Sequence, residues 1–195
     1  NECPWEQDQS DARAVAQKLG IPIYTLNFEK EYKEHVIDYF FKEYEKGRTP
    51  NPDIMCNSEI KFKVFFEKAL ELGADFIATG HYARVDHSDN GSTLLKGIDE
   101  NKDQSYFLYA ISQSALEKTL FPIGDMEKSQ VRAKAKELGL KTHNKKDSQV
   151  ICFVGEVDLR EFLSQYIKDV KAGDIVDSDT GEGVGQHEGL AWYTI

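Results

Sequence analysis

Residues 57–82 read NSEIKFKVFFEKALELGADFIATGHY. Asn57 is a residue type that caps helices, and the apolar run through Phe65, Phe66 and Leu70 stops at Gly73, a helix-ending residue. Asp75-Phe76-Ile77-Ala78-Thr79 then reads as a strand that ends at Gly80-His81. A helix feeding a strand in this way is a unit of an α/β fold with a parallel sheet. Ligands of open α/β sheets bind outside the carboxyl ends of the strands. Gly80 is therefore a candidate for close approach by a nucleotide, although an ordinary turn has the same residues and His81 equally suits a structural role.

The pattern extends on both sides. A helix is predicted over 11–19, closed by Gly20, followed by a short buried strand at 21–26 (Ile-Pro-Ile-Tyr-Thr-Leu) and an amphipathic helix over 32–44. Gly47, Pro50 and Pro52 make 47–56 a loop. Beyond the central strand, Asp89-Asn90-Gly91 between extended runs signals a hairpin. Helical patterning returns at 105–111, 114–120 and 129–138, and 151–154 is a short apolar strand. Asp158 can cap a helix through Tyr166, and after Gly173 the text becomes Gly-rich and β-like around a Thr180-Gly181 turn. A domain change is expected near Leu163, with an α/β unit over 1–163 and the start of a small β-rich domain over 164–195.

A length of 195 residues, 40% hydrophobic and 30% charged, describes one globular domain plus part of another. No apolar run approaches a membrane span and no signal-peptide pattern opens the chain, so a cytoplasmic protein without membrane association is expected. The first residue is Asn, so the chain is expected to begin inside a longer reading frame or after processing. A net charge of −10 excludes binding nucleic acid by bulk charge alone. Lys141, Lys145 and Lys146 form either a local basic track or a solvated run. Three cysteines, Cys3, Cys56 and Cys152, are too few and too dispersed for a disulfide scaffold, and without Cys-x-x-Cys no metal site is expected.

Two cysteines stand in suggestive surroundings. In Asn51-Pro52-Asp53-Ile54-Met55-Cys56-Asn57 the thiol lies just before the predicted helix start, where the helix end favours a thiolate, with Asp53 near to move protons. An inert cysteine in a helix cap fits the same residues. Cys152 sits in an apolar strand after Lys146-Asp147-Ser148-Gln149-Val150-Ile151, where a core cysteine is the plainer choice. The two make sense together if one carries sulfur and the other resolves it. In Asn101-Lys102-Asp103-Gln104-Ser105-Tyr106-Phe107, Lys102 and Gln104 suit RNA contacts, while Asp103 equally suits a helix cap.

These motifs together resemble the tRNA-specific 2-thiouridylase family. The match is carried by Gly47-Arg48-Thr49-Pro50-Asn51-Pro52-Asp53, Cys56-Asn57, Glu59-Ile60-Lys61-Phe62 and Ala78-Thr79-Gly80-His81-Tyr82. It continues through Lys102-Asp103-Gln104-Ser105-Tyr106-Phe107-Leu108-Tyr109, Phe121-Pro122-Ile123-Gly124, Lys145-Lys146-Asp147-Ser148, Ile151-Cys152-Phe153 and Arg160-Glu161-Phe162-Leu163. Gly185-x-His187-x-Gly189-Leu190 with Tyr193-Thr194 completes it, in family order along nearly the whole chain.

The resemblance implies a Rossmann-like ATP-pyrophosphatase domain of the adenine nucleotide α-hydrolase type, followed by a truncated β-rich domain. It implies a tRNA-uridine 2-sulfurtransferase. ATP, with Mg2+, adenylates the C2 oxygen of the wobble uridine, and a persulfide on Cys152, loaded by a sulfur-relay donor protein, delivers the sulfur. Cys56 is then the nucleophile, ending in a Cys56–Cys152 disulfide that a reductant reopens. Asp53 is the acid or base, Asn51, Pro52 and Asp53 meet the target base, Lys102, Asp103 and Gln104 contact tRNA, and Gly80 lines the ATP site. A monomer is expected.

Three departures stand against the family pattern. A Ser-Gly-Gly-Val-Asp-Ser type phosphate loop is absent and the chain stops at Ile195 before a full C-terminal barrel, so a fragment with weak ATP binding is expected. Val150 stands where the family has Gly, and Cys3 has no catalytic counterpart. Two other classes fit the residues: a different ATP-pyrophosphatase adenylating a carboxylate or ureido group, which needs neither cysteine, and a non-catalytic RNA-binding or redox module, which adenylates nothing.

Overall fold

The computed structural model describes residues 5–89, 91–146, 158–168 and 170–193. Helix α1 (Trp5–Leu19) closes at Gly20, whose φ of +68° places it in the left-handed region. Helix α2 (Glu29–Tyr32), a π-wound stretch Lys33–Ile37 and α3 (Asp38–Glu45) run on as one rod that buries Val36, Phe40 and Tyr44. A second rod comprises α4 (Pro52–Met55), a π-wound stretch Cys56–Phe65 and α5 (Phe66–Glu71), and buries Ile60, Phe62 and Phe66.

That second rod feeds β1 (Ile77–Ala78), which pairs in parallel with β4 (Thr119–Leu120) through Ile77 N–H to Lys118 O at 2.9 Å and Thr79 N–H to Leu120 O at 3.1 Å. Between them lie the antiparallel hairpin of β2 (Ala83–Ser88) and β3 (Gly91–Lys96) and the short helix α6 (Gln113–Leu116). Helix α7 (Lys128–Glu137) follows, then α8 (Leu159–Ser164), capped by Asp158, and the antiparallel pair β5 (Gly173–Val176) and β6 (Gly183–His187). Helices around a parallel pair, followed by a separate hairpin, agree with the expected α/β class and β-rich continuation.

Two apolar clusters hold these elements. Phe62 and Phe66 pack with Ile77, Ala83, Leu108, Leu116 and Phe121 under the parallel pair. Phe40 and Tyr44 pack with Leu163, Ile167 and Ala191. Gly124 shows how closely the first cluster's backbone is drawn together: a Cβ there would lie 1.8 Å from Ala83 O.

Several expected elements differ. Residues 21–26 form no strand, and Ile21, Ile23 and Tyr24 are exposed. Apolar character alone does not make a strand; a ladder partner is required, and none meets this segment among the described residues. The helix predicted over 105–111 is a single 3-10 turn, Ser105–Phe107. The one predicted over 114–120 ends early because Thr119 and Leu120 join the sheet. The loop predicted over 47–56 ends at Asn51, which caps the helix beginning at Pro52.

Candidate functional site

The approach to Cys56 is fixed by its loop. Gly47 turns with φ +72°, and Arg48 closes on Glu43 with Nε 2.5 Å from Oε2 and Nη2 2.8 Å from Oε1. This fork, aided by Lys46, holds the Glu43 carboxyl down at about 2. Thr49 Oγ1 donates to Tyr193 O at 3.3 Å, tying the loop to the far end of the chain. Asn51 Oδ1 accepts from Asp53 N–H at 3.1 Å and Ile54 N–H at 3.3 Å, and Pro52 fills the first helical position.

This cap corrects the expectation that Asn57 starts the helix. Cys56 lies beyond the first turn rather than before it, and the helix-end field fades within that turn. The helix terminus therefore acts on exposed Asp53, not on the half-buried Cys56. Asn57 has a different task. Only 2% exposed, it donates from Nδ2 to Phe107 O at 3.2 Å and accepts from Lys61 Nζ at 2.9 Å.

The Asn57–Phe107 bond joins the cysteine rod to the loop bearing Lys102, Asp103 and Gln104. That loop is itself pinned. Asp103 Oδ1 accepts from Gly97 N–H at 2.9 Å and Ser105 N–H at 3.2 Å, and its Oδ2 from Ser105 Oγ at 2.9 Å. Burial raises the Asp103 pKa, but these hydrogen bonds outweigh it and leave the carboxyl below its usual range. Gln104 Oε1 accepts from Tyr82 N–H at 3.0 Å, and its N–H donates to Tyr82 O at 2.9 Å. The loop thus clasps the strand end at Gly80, His81 and Tyr82. A Cβ on Gly80 would meet nothing within 4 Å, so the backbone at this strand end stands open.

The structure accordingly brings together three of the expected segments: 51–57, 79–82 and 102–107. Cys152, Val150 and Cys3 lie outside the described residues, and so does the expected Cys56–Cys152 pairing. Lys145 does not serve as part of an open basic track, because its ammonium lies 2.7 Å from Asp8 and 2.5 Å from Asp11. The joining roles of Asn57, Lys61 and Glu43 have little sequence signal. The four-residue spacing of Asn57 and Lys61 was a signal for one bond; a backbone carbonyl 50 positions away has none. Beside Lys61 an open apolar trough of about 570 Å³ is lined by Tyr24, Leu26, Phe28, Ile60, Phe65 and Leu72. Among the described residues no group of three or more His, Cys, Asp or Glu is placed to hold a metal, and no helix is long and apolar enough to cross a membrane.

Comparison with known proteins adds to this geometry. The family model described as the tRNA methyl transferase HUP domain matches residues 1–156, and the tRNA methyl transferase PRC-barrel domain matches 160–195. The chain is 55% identical over 194 residues to the tRNA-specific 2-thiouridylase MnmA of Enterococcus faecalis, covering 99% of this chain and 51% of that protein. It is 54% identical over 194 residues to the protein of the same name from Staphylococcus aureus strain JH9, covering 99% of this chain and 52% of that one. The chain spans about half the length of the curated relatives it matches.

Proposed function

The chain belongs to the tRNA methyl transferase HUP-domain family, and on that premise we propose that the whole protein thiolates tRNA, replacing the C2 oxygen of the wobble uridine with sulfur. The observation that carries this best is the 55% identity over 194 residues to a tRNA-specific 2-thiouridylase; within the structure the Asn57–Phe107 hydrogen bond sets the Cys56 rod against the loop of Lys102, and Gln104 ties that loop to the strand end at Tyr82.

Gly80, where the backbone stands open at the strand end, suits close approach by a nucleotide. When bound with Mg2+, ATP supplies the adenylyl group that turns the C2 oxygen into a leaving group. Asp53, exposed at the second helical position, is the acid or base, and Asn51 and Pro52 shape the turn that meets the target base. Lys102 contacts the tRNA backbone, with Asp103 and Gln104 holding that contact loop in place.

Cys152 carries the persulfide delivered by a donor protein. Its outer sulfur bonds to C2 as the C2–O bond to AMP breaks. The Cys56 thiolate then attacks the Cys152 sulfur; the S–S pair of electrons goes to the sulfur on C2, and the two cysteines become a disulfide. A dithiol reductant restores both thiols. The protein works as a cytoplasmic monomer, with an α/β catalytic unit over 1–163 and a tRNA-binding β-rich unit from 164.

The test uses the complete protein with ATP, tRNA and a persulfide donor, and measures 2-thiouridine by nucleoside mass spectrometry. Cys56→Ser and Cys152→Ser are each expected to lower product at least a hundredfold. Full thiolation by both variants would mean that the cysteines are not the sulfur carriers.

A further inference from the structure

Two polar side chains, Asn57 and Thr119, are buried among the described residues. Thr119 is accounted for within its own turn, its Oγ1 donating to Ala115 O at 2.7 Å. Asn57 is not. One end of its carboxamide stays on its own rod, Oδ1 accepting from Lys61 Nζ one turn on at 2.9 Å, and the other end leaves it, Nδ2 donating to Phe107 O at 3.2 Å. A buried amide is costly unless both ends are satisfied, and an apolar residue in that position would fill the space more simply. What the amide adds is direction. It fixes one helix residue against one backbone carbonyl, where apolar packing tolerates sliding.

The two things it fixes are the two halves of the site. Asn57 directly follows Cys56, so a shift of its side chain rotates the turn that presents the thiol. Phe107 closes the 3-10 turn of Ser105–Phe107, directly after Lys102, Asp103 and Gln104. That turn is already anchored on its other side by Gln104 to Tyr82 and by Asp103 to Gly97. On the side of the Cys56 turn, the Asn57 amide bonds this loop at Phe107 O.

We propose that Asn57 is a positioning residue for sulfur transfer, holding the Cys56 turn in register with the 102–107 loop so that tRNA engaged by the loop lies over the thiol. This rests on the sulfur-transfer function proposed above. The donor end, toward Phe107, sets the register; the acceptor end, toward Lys61, orients the amide.

The complete protein tests this with three variants. Asn57→Ala removes both bonds. Asn57→Asp keeps the shape and the acceptor for Lys61 but places a carboxylate oxygen against Phe107 O. Lys61→Met removes the other bond alone. Folding is checked by thermal midpoint, so that loss of Asn57→Ala to misfolding leaves Asn57→Asp to decide. The expected result is a kcat for thiolation lowered at least tenfold in both Asn57 variants with KM for tRNA changed less than threefold, while Lys61→Met, which keeps the Phe107 bond, lowers kcat less than either Asn57 variant. Alkylation of Cys56 by iodoacetamide supplies a second readout. Saturating tRNA is expected to slow it at least fivefold in the unaltered protein and less than twofold in the Asn57 variants. Folded Asn57 variants with unaltered kcat and full protection of Cys56 overturn the proposal. An unaltered protein that makes no 2-thiouridine overturns the thiolation function instead, and Cys56 protection then still reports on the register.

Discussion

His81 packs against Phe62 and Phe121, with ring centroids 5.9 and 6.4 Å away, and its Nδ1 lies 2.9 Å from Thr79 Oγ1. Burial pushes its pKa down to about 4, and the nearby Lys61 charge acts in the same direction. The folded protein therefore holds the neutral ring where the unfolded chain protonates near 6.5. Between those values the unfolded state binds more protons, so stability is fully present above about pH 6.5 and is lost as the pH falls toward 4. The full loss is about 3 kcal/mol. Glu43 acts in a lower window, its contribution present above about 4.5 and lost toward about 2. Urea unfolding at pH 7 and pH 5 isolates the histidine. His81→Gln is expected to remove most of the fall between the two, and an equal fall in the variant counts against the assignment.

The helical rods and the hairpin were legible because each signal is local. Gly20 and Gly73 end helices with positive φ, and Asp89-Asn90-Gly91 announces the turn between β2 and β3. What the sequence hid depends on distant partners. Thr119 and Leu120 look helical until β1 claims them, and 21–26 looks like a strand although no described strand pairs with it. At the helix of Cys56, two asparagines competed for the cap. Pro52 decides for Asn51, since its ring suits the first helical turn and the cap residue before it is extended, with φ −112° and ψ 96°. The contact of Phe121-Pro122-Ile123-Gly124 with Ile98 beyond β3 and with the start of β2 has no local signal either. Gly124 O accepts from Ile98 N–H at 3.0 Å, and a Cβ would stand 1.8 Å from Ala83 O and 2.7 Å from its carbon. Neither neighbour is a side chain that can swing aside. Gly124→Ala is expected to cost about 3 kcal/mol or more in chemical denaturation, a backbone-strain effect well above an ordinary surface change. A loss under 1 kcal/mol would show that β2 can move to admit the methyl.

Across the whole molecule, the segment matched by the second family model is not hung on a bare linker. Leu163 and Ile167 pack on Phe40 and Tyr44, and Ala191 completes the cluster. Phe41 adds ring contacts to Phe162 and Tyr166 at 5.8 and 4.3 Å. Arg160 meets Glu188, and its guanidinium carbon lies 5.3 Å from the centre of the Trp192 ring. Thr49, two residues before the helix cap, bonds Tyr193 O, so this second core lies directly behind the loop that leads to Cys56. A change in the second core should therefore be felt at the loop while leaving the parallel pair alone, because Phe62, Ile77 and Phe121 belong to the other cluster. Leu163, only 1% exposed, is the place to cut. Leu163→Ala is expected to cost about 3 kcal/mol through lost burial and the cavity left behind. Hydrogen exchange should show the amides of α8, of α3 and of the Leu190–Trp192 turn losing protection together, with those of β1 and β4 retaining theirs. Uniform loss across both clusters would instead mean that the two cores unfold as one unit, and that the loop before Cys56 borrows its order from the entire chain.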